Sequence, residues 1–108
     1  AKAYNNRGNA KSDLGRNQNA IADYNRAIQL NPNYADAYYN RGEVKYALGR
    51  NQEAIADYDR AIQLDSNLTI AYNNRGNAKS DLGRNQEAIA DYDRAIKLDS
   101  KFAKLFDI

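Results

Sequence analysis

Asparagine stands at positions 6, 40 and 74, each 34 residues from the last. An amide side chain both donates and accepts, so a row of them on one face can pair with the N–H and C=O groups of an extended backbone. Asn9 and Asn77 keep the same interval around Glu43, and Tyr39 and Tyr46 stand nearby. A tyrosine adds stacking area and a polar tip at low entropic cost. Asn6, Asn40, Asn74, Asn9, Asn77, Tyr39, Glu43 and Tyr46 therefore form a candidate peptide-binding set. Their chemistry is recognition rather than bond-making.

Nothing else in the chain supplies a reaction. There is no Cys and no His, which removes thiolate chemistry, disulfides and the commonest general base and metal ligand. Asp57 and Asp59 lie two apart, a spacing that makes carboxylates diverge on a helix. No glycine-rich phosphate loop or nucleophile–base set is present. The sequence reads as a non-enzyme with no cofactor and no metal.

The elements that must position the set follow from periodicity. In EAIADYDRAIQL, Glu53 to Leu64, the residues Ala54, Ile55, Tyr58, Ala61 and Ile62 make the apolar stripe of an amphipathic helix. AYYNRGEVKYAL, Ala37 to Leu48, predicts a second helix with a thinner apolar face. Between them Gly49 is suited to a left-handed C-terminal cap and Asn51 to capping the next helix. Gly42 in mid-helix costs about 1 kcal/mol relative to Ala. Its recurrence as Gly8 and Gly76 predicts another helix passing close. Pro32 ends a helix, and Ser66 and Ser100 in its place are expected to cap the helices that follow.

The 34-residue interval governs the whole chain. AYNNRGNAKSDLGRNQ occupies residues 3–18 and again 71–86, with AYYNRGEVKYALGRNQ midway at 37–52. Each unit is a helical hairpin, helix A then helix B, that cannot bury its stripe alone; stacked hairpins bury a continuous core. The units are 1–34, 35–68 and 69–102, with 103–108 as the start of a truncated fourth or capping helix. Leu105, Phe106 and Ile108 look too short to cover the last helix B, so end-to-end self-association is expected through an open C-terminal end.

These residues resemble the tetratricopeptide repeat (TPR) family over essentially the whole length. The family's large residue at position 4, small one at 8, Ala at 20, aromatic at 24 and Ala at 27 are Tyr4, Gly8, Ala20, Tyr24 and Ala27. They recur as Tyr38, Gly42, Ala54, Tyr58 and Ala61, and as Tyr72, Gly76, Ala88, Tyr92 and Ala95. The resemblance implies an all-α fold: a right-handed α-solenoid of three antiparallel helical hairpins, with helices A lining a concave groove. It also implies a protein–protein interaction module, the alternative being a structural spacer or self-stacking scaffold. In some TPR superhelices an asparagine ladder, matched here by Asn6, Asn40 and Asn74, holds a ligand's main chain.

Three positions depart from the family pattern: Arg7, Arg41 and Arg75; Lys11, Lys45 and Lys79; and Asn17, Asn51 and Asn85. An arginine on a packing face needs an anion, and helix B offers Asp23, Asp57 and Asp91. An Arg–Asp pair is predicted within each hairpin, with the lysine stem lying over apolar surface. The family's two-carboxylate clamp, which grips a partner's C-terminal acid, matches at Asn9 and Asn40. Its three basic positions are Asn5, Ile70 and Asn74, so that kind of grip is not expected.

Net charge is +2 and no basic stripe emerges, which points away from nucleic acid. No stretch is apolar enough for a bilayer and no signal-peptide core is present. The partners expected are a protein or peptide ligand, without nucleic acid or membrane, in a cytoplasmic setting. The lack of Met reads as a segment cut from a longer chain, natural or engineered.

Overall fold

The computed structural model describes the backbone of residues 1–106 and the side chains of residues 1–101. Among the described residues there are six helices: α1 (Lys2–Asp13), α2 (Asn17–Leu30), α3 (Ala35–Ala47), α4 (Asn51–Leu64), α5 (Thr69–Asp81) and α6 (Asn85–Phe106). They pack as three antiparallel pairs. Each even helix packs on the odd helix before it, and α2 and α4 also pack on the odd helix that follows.

Within a pair, the turn is set by glycine. Gly49 has φ +78°, where a side chain would clash with the following carbonyl. Its N–H bonds Tyr46 O at 2.9 Å, and the N–H of Arg50 bonds Lys45 O at 2.9 Å. This crossed pair satisfies carbonyls that the helix end leaves free. Arg50 then serves directly as N-cap of α4, without a side-chain cap bond. The expected cap, Asn51, is instead the first helical residue, because the tight turn leaves no room for a separate capping residue.

Between pairs, the chain straightens at Asn31 (φ −143°, ψ 92°) and Asp65 (φ −141°, ψ 93°). Their side-chain oxygens accept the N–H of Asn33 and Asn67, both at 3.1 Å. The anticipated serine cap is not used. Leu68 is the N-cap of α5, and Ser66 instead offers its carbonyl to the Tyr72 hydroxyl at 3.3 Å.

The third unit differs. Helix α6 runs through Ser100 to Phe106, so the backbone does not begin a separate helix at 103. Position 101 is Lys where the earlier units have Asn33 and Asn67; a turn-favouring asparagine is exchanged for a good helix former. The apolar side chains of Leu105, Phe106 and Ile108 lie outside the described residues.

The core is built from alanine and tyrosine. Ala20, Ala27, Ala37, Ala54, Tyr58, Ala61, Ala71 and Ala78 are fully buried, with Tyr24 and Val44 close behind. Small alanines let the helices approach, and the tyrosines fill what remains. Each ring lies over a mid-helix glycine of its own hairpin: Tyr24 over Gly8, Tyr58 over Gly42, Tyr92 over Gly76.

The Arg–Asp pairs form in all three hairpins. Arg7, Arg41 and Arg75 each give two hydrogen bonds to Asp23, Asp57 and Asp91, at 2.6–2.9 Å. The lysines go further than covering apolar surface: Lys11, Lys45 and Lys79 place Nζ 3.0, 3.2 and 3.1 Å from the same carboxylates. Three donors thus converge on each buried Asp. The arginines also tie one unit to the one before. Arg41 donates to Asn25 and Arg75 to Asp59, both at 2.9 Å.

Candidate functional site

Helices A touch along the stack, α1 with α3 and α3 with α5, whereas α2 and α4 stay apart. Closer spacing on one side bends a stack toward that side, so helices A form the inner face. The candidate residues are all on these three helices.

A cavity of about 190 Å³ opens where α1 meets α3. It is lined by Asn9, Ser12, Asp13, Tyr24, Tyr39, Asn40, Glu43 and Val44. Four of the eight sequence candidates (Asn9, Tyr39, Asn40 and Glu43) meet there. Asn6, Asn74, Asn77 and Tyr46 lie outside its wall.

Most of these polar groups already have partners. Asn9 and Asn77 accept the hydroxyls of Tyr24 and Tyr92, each at 2.6 Å, and Glu43 accepts that of Tyr58. Asn40 Nδ2 donates to Asn5 Oδ1 at 3.0 Å, which links α3 to α1. Asn74 Nδ2 donates to Tyr39 Oη at 2.9 Å and Glu43 Oε1 at 2.8 Å, which links α5 to α3. Tyr46 donates to Asp81 at 2.7 Å. Asn6 is exposed and makes no hydrogen bond among the described side chains.

The hydroxyls of Tyr24, Tyr58 and Tyr92 are participants that sequence patterning did not reveal. Their signal is an acceptor at the same place in every unit: Asn9, Glu43 and Asn77. Asn5, at one of the positions of the clamp cations, is 4% exposed and serves the α1–α3 contact.

Electrostatically the cavity is one-sided. Asp13 and Glu43 line it and no Lys or Arg does. Burial first, and then the charges of Asp13, Asp23 and Glu43, push the Tyr24 phenol up to about 12. Burial and Glu43 likewise raise Tyr39 and Tyr58. These phenols stay neutral donors at ordinary pH. Among the described residues no group of three or more acidic, His or Cys side chains is placed to hold a metal ion, and no helix is long and apolar enough to cross a membrane.

Family profiles described as TPR repeat match residues 8–49 and 42–83, and one described as Tetratricopeptide repeat matches 69–102. Among solved structures, a crystal structure of MamA superposes with a TM-score of 0.93 at 35% identity. That match covers 95% of this chain and 60% of the MamA chain. The Arabidopsis OM64 TPR domain gives 0.87 at 33% identity, over 90% of this chain and 80% of that one. The second TPR of Spaghetti (RPAP3), bound to the HSP90 peptide SRMEEVD, gives 0.87 at 30% identity over 89% of each chain. This chain therefore spans less than two thirds of the length of MamA. No curated protein matches it.

Proposed function

The chain belongs to the tetratricopeptide repeat family of non-catalytic interaction modules, and we propose that it binds an extended peptide, rich in hydrogen-bond donors, across the inner face of helices A. The observation that carries this reading is the cavity between α1 and α3, with its acidic, cation-free wall. The Tyr24 and Tyr58 hydroxyls, both N–H groups of the Asn74 amide and one of the Asn40 amide are engaged within the protein. Acceptors are left over, at Asp13, Glu43 and Asn40 Oδ1. A lysine or arginine side chain, with main-chain N–H groups beside it, complements such a surface.

An acidic peptide of the kind bound by Spaghetti is a poor fit. The positions corresponding to clamp cations are Asn5, Ile70 and Asn74. Two of these are engaged between helices and the third is apolar.

The test is fluorescence anisotropy with two labelled octapeptide pools, one rich in Lys and Arg and one rich in Asp and Glu. The basic pool is expected to bind, and Asp13→Asn to weaken it without altering stability. Failure of both pools to bind at about 1 mM, the weakest affinity of note, would end the proposal, as would preference for the acidic pool.

A second reading, a scaffold segment with no groove ligand, is favoured by a different observation. The amides of Asn40 and Asn74 are engaged in joining helices A to one another.

A further inference from the structure

Residues 3–18 and 71–86 are identical, and the matching stretch 37–52 departs from them only at Tyr39, Glu43, Val44, Tyr46 and Ala47. The residues that hold the hairpin together, Arg41, Gly42 and Lys45, are kept. Tyr39, Glu43 and Val44 line the cavity between α1 and α3. Tyr46 serves the other seam, where its hydroxyl donates to Asp81 of α5 at 2.7 Å. What sets the middle unit apart is therefore gathered where helices A meet.

The two seams differ as a result. From α3 to α5 a tyrosine reaches a carboxylate on the next helix. From α1 to α3 the same two places hold Ser12 and Ala47, a pair too short to bridge, and Ser12 is left in the cavity wall. The cavity, about 190 Å³, falls short of the roughly 300 Å³ at which ordinary small-molecule pockets begin. It has room for one long side chain.

The fold itself shows which side chain suits such a wall. Arg7, Arg41 and Arg75 lie over Tyr4, Tyr38 and Tyr72, 5.4–5.5 Å from the ring centres. Each is bonded at the same time to an aspartate. The cavity offers the same two parts, a tyrosine in Tyr39 and carboxylates in Asp13 and Glu43, with no cation in its wall. Both hydrogen bonds that Glu43 accepts fall on Oε1, so Oε2 keeps its lone pairs for a donor. A planar guanidinium stacks on a ring while its fork bonds a carboxylate; a compact ammonium does not combine the two.

We infer that the cavity takes one arginine side chain of a bound peptide, in space that Ser12 leaves open. This inference rests on the groove reading and narrows it from basic peptides in general to a single arginine anchor at the α1–α3 seam.

The experiment is fluorescence anisotropy with a labelled octapeptide of serine and alanine carrying one central arginine, and with its lysine and citrulline counterparts. Citrulline keeps the shape of arginine and loses the charge. The arginine peptide is expected to bind, the lysine peptide about tenfold more weakly, and the citrulline peptide not measurably. Ser12→Tyr gives α1 the residue type that α3 carries at Tyr46, and is expected to fold and to abolish binding of the arginine peptide. Tyr39→Leu is expected to bring arginine down to the level of lysine. Circular dichroism checks both variants, and should one lose its helices the other decides.

Equal affinity for arginine and lysine, or a preference for lysine, would overturn the inference. So would undiminished binding by a folded Ser12→Tyr, or an arginine preference that survives Tyr39→Leu. The groove reading outlives each of these results, provided that the basic pool binds. An arginine peptide that fails to bind at about 1 mM while the basic pool succeeds removes the anchor alone; failure of both removes both.

Discussion

The ring of Tyr58 lies so close to Gly42 that a methyl group on that glycine would stand 2.9 Å from Cε1. Tyr58 is fully buried and its hydroxyl is tied to Glu43, so the ring has nowhere to retreat. Gly42→Ala gains about 1 kcal/mol of helix propensity, while overpacking a filled core costs about 1–3 kcal/mol. A net loss of about 1 kcal/mol is expected by urea denaturation. A stabilised variant would mean that the ring can shift.

Arg41 and Lys45 neutralise Asp57, whose side chain is almost wholly buried. Removing one partner of a buried pair costs about 3–5 kcal/mol. Arg41→Leu should fall near the lower end, because Lys45 remains. A double-mutant cycle with Asp57→Ala should give a coupling above about 1 kcal/mol. An unaffected Arg41→Leu beside a badly destabilised Asp57→Ala would contradict the pairing.

Hydrogen bonds from Arg7, and next from Lys11, hold the Asp23 carboxyl down at about 2, against the opposing effect of burial. The folded value lies below the ordinary one, so the stabilisation is complete above the unfolded value and is lost as pH falls through the folded value. The wild type should therefore keep its helicity from about pH 4 down toward pH 2 better than Arg7→Gln does. Circular dichroism across that window reads the difference directly, and coincident acid transitions would remove Arg7 from the account.

Asn40→Ala is not a silent groove mutation. It takes the donor away from Asn5, which is 4% exposed. An unsatisfied buried acceptor costs about 1–3 kcal/mol. A loss near 1 kcal/mol is expected in thermal or urea unfolding, so peptide affinity for this variant must be compared at temperatures where it remains folded. Asn6→Ala, exposed and unbonded, should leave stability unchanged.

What the sequence made legible was whatever repeats locally. Gly8, Gly42 and Gly76 announced a close approach, and the rings of Tyr24, Tyr58 and Tyr92 make it. The arginines at Arg7, Arg41 and Arg75 announced the acids that they now grip. Both depend only on packing within a hairpin, where helical period and turn geometry decide which side chains meet.

The contacts between hairpins were harder to read. Asn40 with Asn5 and Asn74 with Tyr39 join residues 35 apart. That pairing depends on how one unit is rotated on the last, which no window of sequence encodes. The run of α6 past Ser100 was missed for a different reason. The Asp65 side chain accepts the backbone N–H of Asn67 at the break. In the third unit Asp99 and Ser100 are kept while Lys101, Phe102 and Ala103 replace Asn67, Leu68 and Thr69, so a turn signal and helix formers stand side by side.

Among the described residues helix α3 packs against α1, α2, α4 and α5, whereas α2 has only α1 and α3 for neighbours, and α6 packs on α5 alone. Warming the molecule should therefore peel it from its flanks inward, since a linear stack loses its terminal layers at the cost of one seam each. The amide protons of the central hairpin would be the last to surrender to deuterium, and a single melting temperature would conceal that sequence of events.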